Sequence, residues 1–214
     1  MPSSLVHVAL GAVVATALLG PAFGRRSLLA VLAVTAVPDL DSFTVVLFPG
    51  THRALLHNVF VPAILAALVV ADLRRGTDSW LRHRWGATGA RTAGVAVVSL
   101  ALAGVAPDLV TNGANLFYPV HDQFYELSGQ LKYSTTEGLV QTFVDLSGGT
   151  STVGDSAAAG TTDSVHYSTV VDARAGADPP DVERVILFVD GGMEALLVVL
   201  GVVLPWARLP EQSS

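Results

Sequence analysis

Residues 27–48 read SLLAVLAVTAVPDLDSFTVVLF, an apolar run long enough to cross a bilayer as a helix but interrupted by Pro38-Asp39-Leu40-Asp41. Proline removes a backbone donor, so this helix is expected to kink or break at Pro38. An aspartate inside an apolar span costs roughly 3 kcal/mol or more at the helix centre, so it faces a partner, a cavity or a metal. Asp39 and Asp41, two positions apart, would point to opposite sides of an unbroken helix. A break lets both turn toward one centre. Helix capping around Pro38 is the plainer use of Asp39.

Four further apolar runs, residues 5–23, 58–73, 92–110 and 185–205, have comparable length. With 51% hydrophobic and only 14% charged residues in 214, the chain reads as an all-α membrane protein of about five transmembrane helices. Residues 1–214 form a single polytopic domain, with lipid bilayer as its surroundings. The fourth run is interrupted at Pro107-Asp108 as the second is at Pro38-Asp39. The net charge of −6 argues against nucleic acid as a main partner. With no cysteine, thiolate catalysis, disulfides and cysteine-ligated zinc are excluded, so any metal must sit on imidazole or oxygen ligands.

Arginines orient the runs. Arg25 and Arg26 follow the first, Arg74, Arg75, Arg82, Arg84 and Arg91 lie between the third and fourth, and Arg208 follows the fifth, so these loops are expected on the cytoplasmic side. The expected localisation is the cell membrane, multi-pass, with the N-terminus outside and the C-terminus cytoplasmic. The first run lacks a preceding positive charge and is followed by two arginines, which favours an uncleaved span over a signal peptide. Residues 119–184 then form an acidic extracytoplasmic insertion. Within it, residues 147–164 are a Gly/Ser/Thr/Ala tract too poor in large apolar side chains to pack, flanked by LVQTFVDL and VHYSTVVDA, which predict a short β-hairpin.

This orientation gathers His7, Asp39, Asp41, His52, His57, Asp108 and His121 on the outer side. His52 and His57 flank the start of the third run, and a metal held between loop and helix would fit them; interfacial histidines bonded to headgroups or carbonyls are the alternative. Asp108, Thr111, Asn112 and Asn115 fall at i, i+3, i+4 and i+7, which predicts one polar helical face, with Thr111 and Asn112 as contacts to substrate or ligands. The segments Pro38-Asp39-Leu40 and Pro107-Asp108-Leu109 echo each other, as in a parallel repeat or by coincidence of composition. Asp190 and Glu194, spaced i, i+4 in the last run, are further candidates expected to point into the bundle, either as ligands or as buried acids packed between helices. Imidazole and carboxylate without thiolate suit a divalent metal, zinc first, with manganese and iron as alternatives. Such a metal can turn water into a nucleophile, with Asp41 or Asp108 as the catalytic base.

The order His7, Pro38-Asp39-Leu40-Asp41, His52-Arg53-x-x-x-His57 and Asp108-x-x-Thr111 resembles the YdjM-type inner-membrane metal-dependent hydrolases, also described as LexA-binding membrane-associated hydrolases. The likeness spans roughly the first 120 residues. It implies a polytopic hydrolase with His7, Asp39, Asp41, His52, His57 and Asp108 as metal ligands. The chain departs from the usual pattern in His-Arg-Ala-Leu-Leu-His-Asn, where a glycine and hydroxyls are absent, and at Gly104, where a histidine often stands. The substrate expected is a small molecule or a lipid-linked one, such as a phosphate ester. Two other readings are compatible with the same residues: an ion- or proton-coupled transporter or channel using intramembrane aspartates, and a non-catalytic membrane scaffold.

Overall fold

The computed structural model describes residues 3–127, 129–142 and 158–209. Helix α1, Ser4–Leu18, is capped by Ser3, whose hydroxyl accepts the Val6 N–H at 3.4 Å. It stops before Gly20 and Pro21, the glycine lying in the left-handed region at φ 53°. Helix α2 covers Arg25–Thr35; a 3₁₀ turn, Pro38–Leu40, then leads into α3, Asp41–Thr44, with a bend of 44° between the two parts. Helix α4, Phe60–Leu73, begins where Asn58 Oδ1 accepts the amides of Phe60 and Val61 at 3.0 and 3.2 Å. Helix α5, Trp80–Trp85, is capped by the carboxylate of Asp72, which accepts the amides of Trp80 and Leu81. Helix α6, Gly89–Ser99, continues through a π-helical turn, Leu100–Val105, into α7, Ala106–Leu109.

Five membrane-crossing helices do not form. Among the described residues only Trp80–Leu109, 30 residues, is long and apolar enough to cross a bilayer, joined by the bent pair Arg25–Thr35 and Pro38–Thr44 if that counts as one span. The apolar runs overstated the helices because parts of them are not helical. Residues 45–48 of the second run and 58–59 of the third lie in turns and bends, and residues 185–191 run without regular helix or strand before α8, Gly192–Arg208. At 1.5 Å per residue, α1 with 15 residues and α4 with 14 reach about 22 and 21 Å, short of a hydrocarbon core of about 30 Å. The second expected break also differs: Pro107 sits in the first turn of α7, and the widened turn before it carries the helix through without interruption.

Strands are few. β2, Leu131–Ser134, pairs antiparallel with β3, Gly138–Gln141, while β1, Phe124–Tyr125, pairs antiparallel with β4, Ala158–Gly160. Of the hairpin expected between residues 139–146 and 165–173, residues 139–141 belong instead to β3 and pair with the segment before them, while residues 143–146 lie outside the described residues. Residues 165–173 form no strand, and Tyr167 is instead drawn down onto Asn112, whose carbonyl accepts its hydroxyl at 2.5 Å. The first part of the small-residue tract, residues 147–157, also lies outside the described residues.

Helices α1, α2 and α6 pack through small side chains, with Ala12, Ala15, Val31, Val95 and Ala96 in the core. Thr35 and Ser99 hydroxyls meet at 2.7 Å, and the Thr92 hydroxyl donates to Ser27 at 3.1 Å, so α2 and α6 run parallel with buried polar bonds between them. Helix α8 lies parallel to α1. Gly201 passes so close to Ala9 that an added Cβ would meet the Ala9 Cα at 2.6 Å. Arg208 donates to the carbonyls of Thr16 and Gly20, and Arg91 to that of Leu18 at 2.9 Å, so these basic side chains cap the C-terminal end of α1. His7 stands at its other end. The outer faces are apolar: α4 has no buried residue, and α8 buries only Pro205 while leaving Trp206 77% exposed.

Candidate metal centre

Four separate stretches of chain meet at the N-terminal end of α1. His7 comes from α1, Asp39 and Asp41 from the bend after α2, His52, Arg53 and His57 from the turns before α4, and Asp108 from α7. The bend at Pro38 does what the sequence suggested for it, carrying both aspartates into the same cluster. The parallel run of α2 and α6 brings Asp108 beside Asp39, one on each side of His7: Asp39 Oδ1 is 3.2 Å from His7 Nδ1, and Asp108 Oδ1 is 3.6 Å from Nε2.

His57 completes the group, with Nε2 at 2.9 Å from Asp108 Oδ2 and 3.8 Å from Asp39 Oδ1. His7, His57 and Asp108 are each 1% exposed, and each offers one donor atom within 4.8 Å of the others, a set that can hold a metal ion. Several of these atoms are close without being aligned as hydrogen bonds. Both ring nitrogens of His7, Nε2 of His57, Oδ2 of Asp39 and Oδ1 of Asp108 are buried without an aligned hydrogen bond, and all but Oδ2 of Asp39 stand instead in the ion-pair contacts of the cluster. A metal ion held by His7, His57 and Asp108 would satisfy the donor atoms that these contacts align poorly. Burial works against a charged imidazole at His57, but hydrogen bonding and charge from Asp108 and Asp41 outweigh it and raise its pKa to about 10.

Asp41 serves a different purpose from Asp39. Its Oδ1 lies 2.8 Å from His52 Nδ1 and its Oδ2 2.8 Å from His57 Nδ1, while Oδ2 also accepts the amides of Arg53 at 3.1 Å and Leu56 at 3.4 Å. Both oxygens are thus committed, and the carboxylate fixes which ring nitrogen of each histidine remains for other work. It also answers how two histidines five apart can share one centre: neither is on a helix, and both turn toward the same carboxylate.

Arg53 is a functional residue that the sequence reading did not single out. It is 1% exposed, places Nη2 at 2.7 Å from Asp108 Oδ1, and donates Nη1 to the Gly113 carbonyl at 3.4 Å. Its guanidinium lies over the Tyr167 ring, 4.8 Å from the centroid. Its backbone is left-handed, φ 62°, and its carbonyl accepts the Asn115 amide at 2.9 Å.

The remaining candidates sit elsewhere. The polar helical face expected from Asp108 to Asn115 does not exist, because α7 ends at Leu109 and the chain turns at Gly113, φ 90°. The Thr111 hydroxyl donates back to the Pro107 carbonyl at 2.9 Å, and Asn112 is exposed. Asn115 is buried and donates to Asp122 at 2.6 Å. His121 is exposed, its ring 6.3 Å from that of Tyr125. Glu194 folds back on its own helix start, accepting the Asp190 amide at 2.7 Å, and Asp190 is exposed. Gly104 is closely packed: an added Cβ would meet the Thr35 carbonyl oxygen at 2.7 Å, so the histidine common at this position in the YdjM-type pattern would not fit without moving α2.

Above the cluster opens a cavity of about 320 Å³, to which Asp39, His52, Arg53, His57 and Asp108 contribute one side and Ser168–Val171 and Val185–Leu187 another. No family model, no curated protein and no solved structure matches the chain.

Proposed function

We propose that this chain is a membrane-associated, metal-dependent hydrolase whose metal is held by His7, His57 and Asp108, with Asp39 at the open edge of the site. The observation that carries the reading is the buried group of His7, His57 and Asp108, each offering one donor atom within 4.8 Å of the others, beside an accessible cavity. Two imidazoles and carboxylate without thiolate favour zinc, with manganese and iron as alternatives. A divalent metal held by His7, His57 and Asp108 would supply Lewis acidity, which makes water a stronger nucleophile near pH 7.

The protein's own groups divide the remaining work. Asp39 and Asp108 both line the cavity, and Asp39, whose side chain is 17% exposed against 1% for Asp108, is the more open of the two and is placed to take a proton from water there. Asp41 holds the Nδ1 atoms of His52 and His57, which keeps His57 Nε2 directed at Asp108 and His7. Arg53 balances the charge of Asp108. The order of these residues along the chain resembles that of the YdjM-type hydrolases, which supports the reading.

Membrane association follows from the unburied apolar faces of α4 and α8, which water would not favour. The arginines lie at the far end of α1 and the site at the near end, so the two would sit at different depths in a membrane, the basic end nearer the cytoplasm. The test is metal analysis of the purified full-length chain and of His57→Ala and Asp108→Asn variants that retain helical circular dichroism. A stoichiometric divalent metal in the parent and its loss in both variants is the expected outcome. A folded, metal-free parent that takes up no zinc, manganese or iron ends the proposal.

A further inference from the structure

The cavity changes character from its buried side to its mouth. His57 and Asp108 are 1% exposed, whereas Phe43, Val185 and Ile186, which line the same cavity, are 62%, 63% and 60% exposed. Between these extremes the lining carries the hydroxyls of Ser42, Ser168 and Thr169. Phe43 continues into an equally apolar turn, with Leu47 76% and Phe48 58% exposed, and Ile186 continues into Phe188. A catalytic pocket for a wholly polar molecule has no use for a mouth built this way, since each exposed aliphatic or aromatic side chain there is a cost in water.

We infer that the substrate is an amphiphilic ester, its polar head at the His7/His57/Asp108 centre and its hydrocarbon chain leaving between Phe43 and the Val185–Ile186 segment. This rests on the metal-dependent reading above and adds the substrate class to it. At about 320 Å³ the cavity is at the small end of ligand pockets, about 300–1,000 Å³, so it takes a head group and the first carbons while the rest of the chain lies along the mouth. The head is a phosphoester or a carboxylic ester. In either case the water oxygen bonds to phosphorus or to the acyl carbon, the bond from that atom to the leaving oxygen breaks, and the leaving oxygen ends protonated as the alcohol.

The full-length chain in lipid nanodiscs, loaded with zinc, is titrated by calorimetry with two series of non-hydrolysable probes, alkylphosphonates from methyl to decyl and carboxylates from acetate to decanoate, with empty nanodiscs as the blank. Affinity is expected to rise about fourfold per methylene over the first few carbons in one series, which also identifies the head group. Phe43→Ser combined with Ile186→Ser should flatten that rise and leave bound zinc unchanged. Chain-length independence in both series with zinc retained overturns the amphiphile inference and leaves the metal centre standing. A double variant that keeps the full chain-length response overturns the assignment of the mouth. A parent chain that binds no zinc removes the metal reading, and this inference with it.

Discussion

Arg53 and Asp108 form a buried ion pair, Nη2 to Oδ1 at 2.7 Å, with each residue 1% exposed. The guanidinium therefore does more than balance charge. Through its side chain, its amide on Asp41 and its carbonyl on Asn115, one residue ties together the turns before α4, the bend after α2 and the loop after α7.

Replacing Arg53 by alanine leaves the Asp108 carboxylate buried beside Asp39 and Asp41 with no guanidinium. Breaking a buried pair from one side costs about 3–5 kcal/mol, so denaturant unfolding of Arg53→Ala should show a loss of that order. Zinc should restore part of it if the metal supplies the missing positive charge. An Arg53→Ala protein as stable as the parent would mean that Asp108 is protonated or otherwise satisfied.

Asp41→Asn separates orientation from ligation. The variant keeps the shape but removes the charge that holds two Nδ1–H groups, and loss of such an outer partner usually lowers metal affinity about 10–100-fold. Calorimetric zinc titration should give a weaker site with unchanged stoichiometry. Complete loss of binding in a folded variant would instead make Asp41 a ligand.

Gly104→His tests the packing beneath the site. The new Cβ would start 2.7 Å from the Thr35 carbonyl oxygen, which is backbone and cannot swing away. Overpacking of this kind costs about 1–3 kcal/mol, seen as a lower unfolding midpoint. Gly104→Ala should show most of the same effect, because the Cβ alone makes the clash.

The loop contact at Asp122 should depend on acid. Partial burial would raise its pKa, but hydrogen bonds from the Thr162 hydroxyl and amide and from Asn115 outweigh this and lower it. A folded-state pKa below the unfolded one means the contribution is fully present above about pH 4 and is lost as pH falls through the lower, folded value. Protection of the Thr162 amide against hydrogen exchange should therefore hold at neutral pH and fall only below about pH 4. In Asp122→Asn it should be weaker and insensitive to pH across that window.

The site was more legible in the sequence than the fold around it. A carboxylate within an apolar run carries its own penalty, so Asp39 and Asp108 declared a shared interior, and Pro38 gave the means for the chain to turn there. Helix length was not legible in the same way, because apolar composition reports what surrounds a segment and not whether its backbone is helical. Residues 185–191 are the example: Val185, Ile186 and Leu187 read as the start of a span, yet they line the cavity as irregular chain and the helix begins at Gly192. Arg53 stood in the His52-Arg53-x-x-x-His57 pattern without a role of its own, since nothing in the sequence says which carboxylate it meets. Only the fold, by placing Asp108 and Tyr167 against it, gives it a buried role. Tyr167 was hidden by the β-branched residues around it, which spoke for a strand.

The parallel contact between α1 and α8 joins the earliest and the latest helices of the described chain. Helix α1, which carries His7, already packs on α2 and α6, and α8 covers a further side of it, with Gly201 seated on Ala9 and Arg208 on the end of α1. The last described helix to be synthesised therefore braces the first, and a chain that has made all of His7, Asp39, His57 and Asp108 still lacks that brace until α8 is in place.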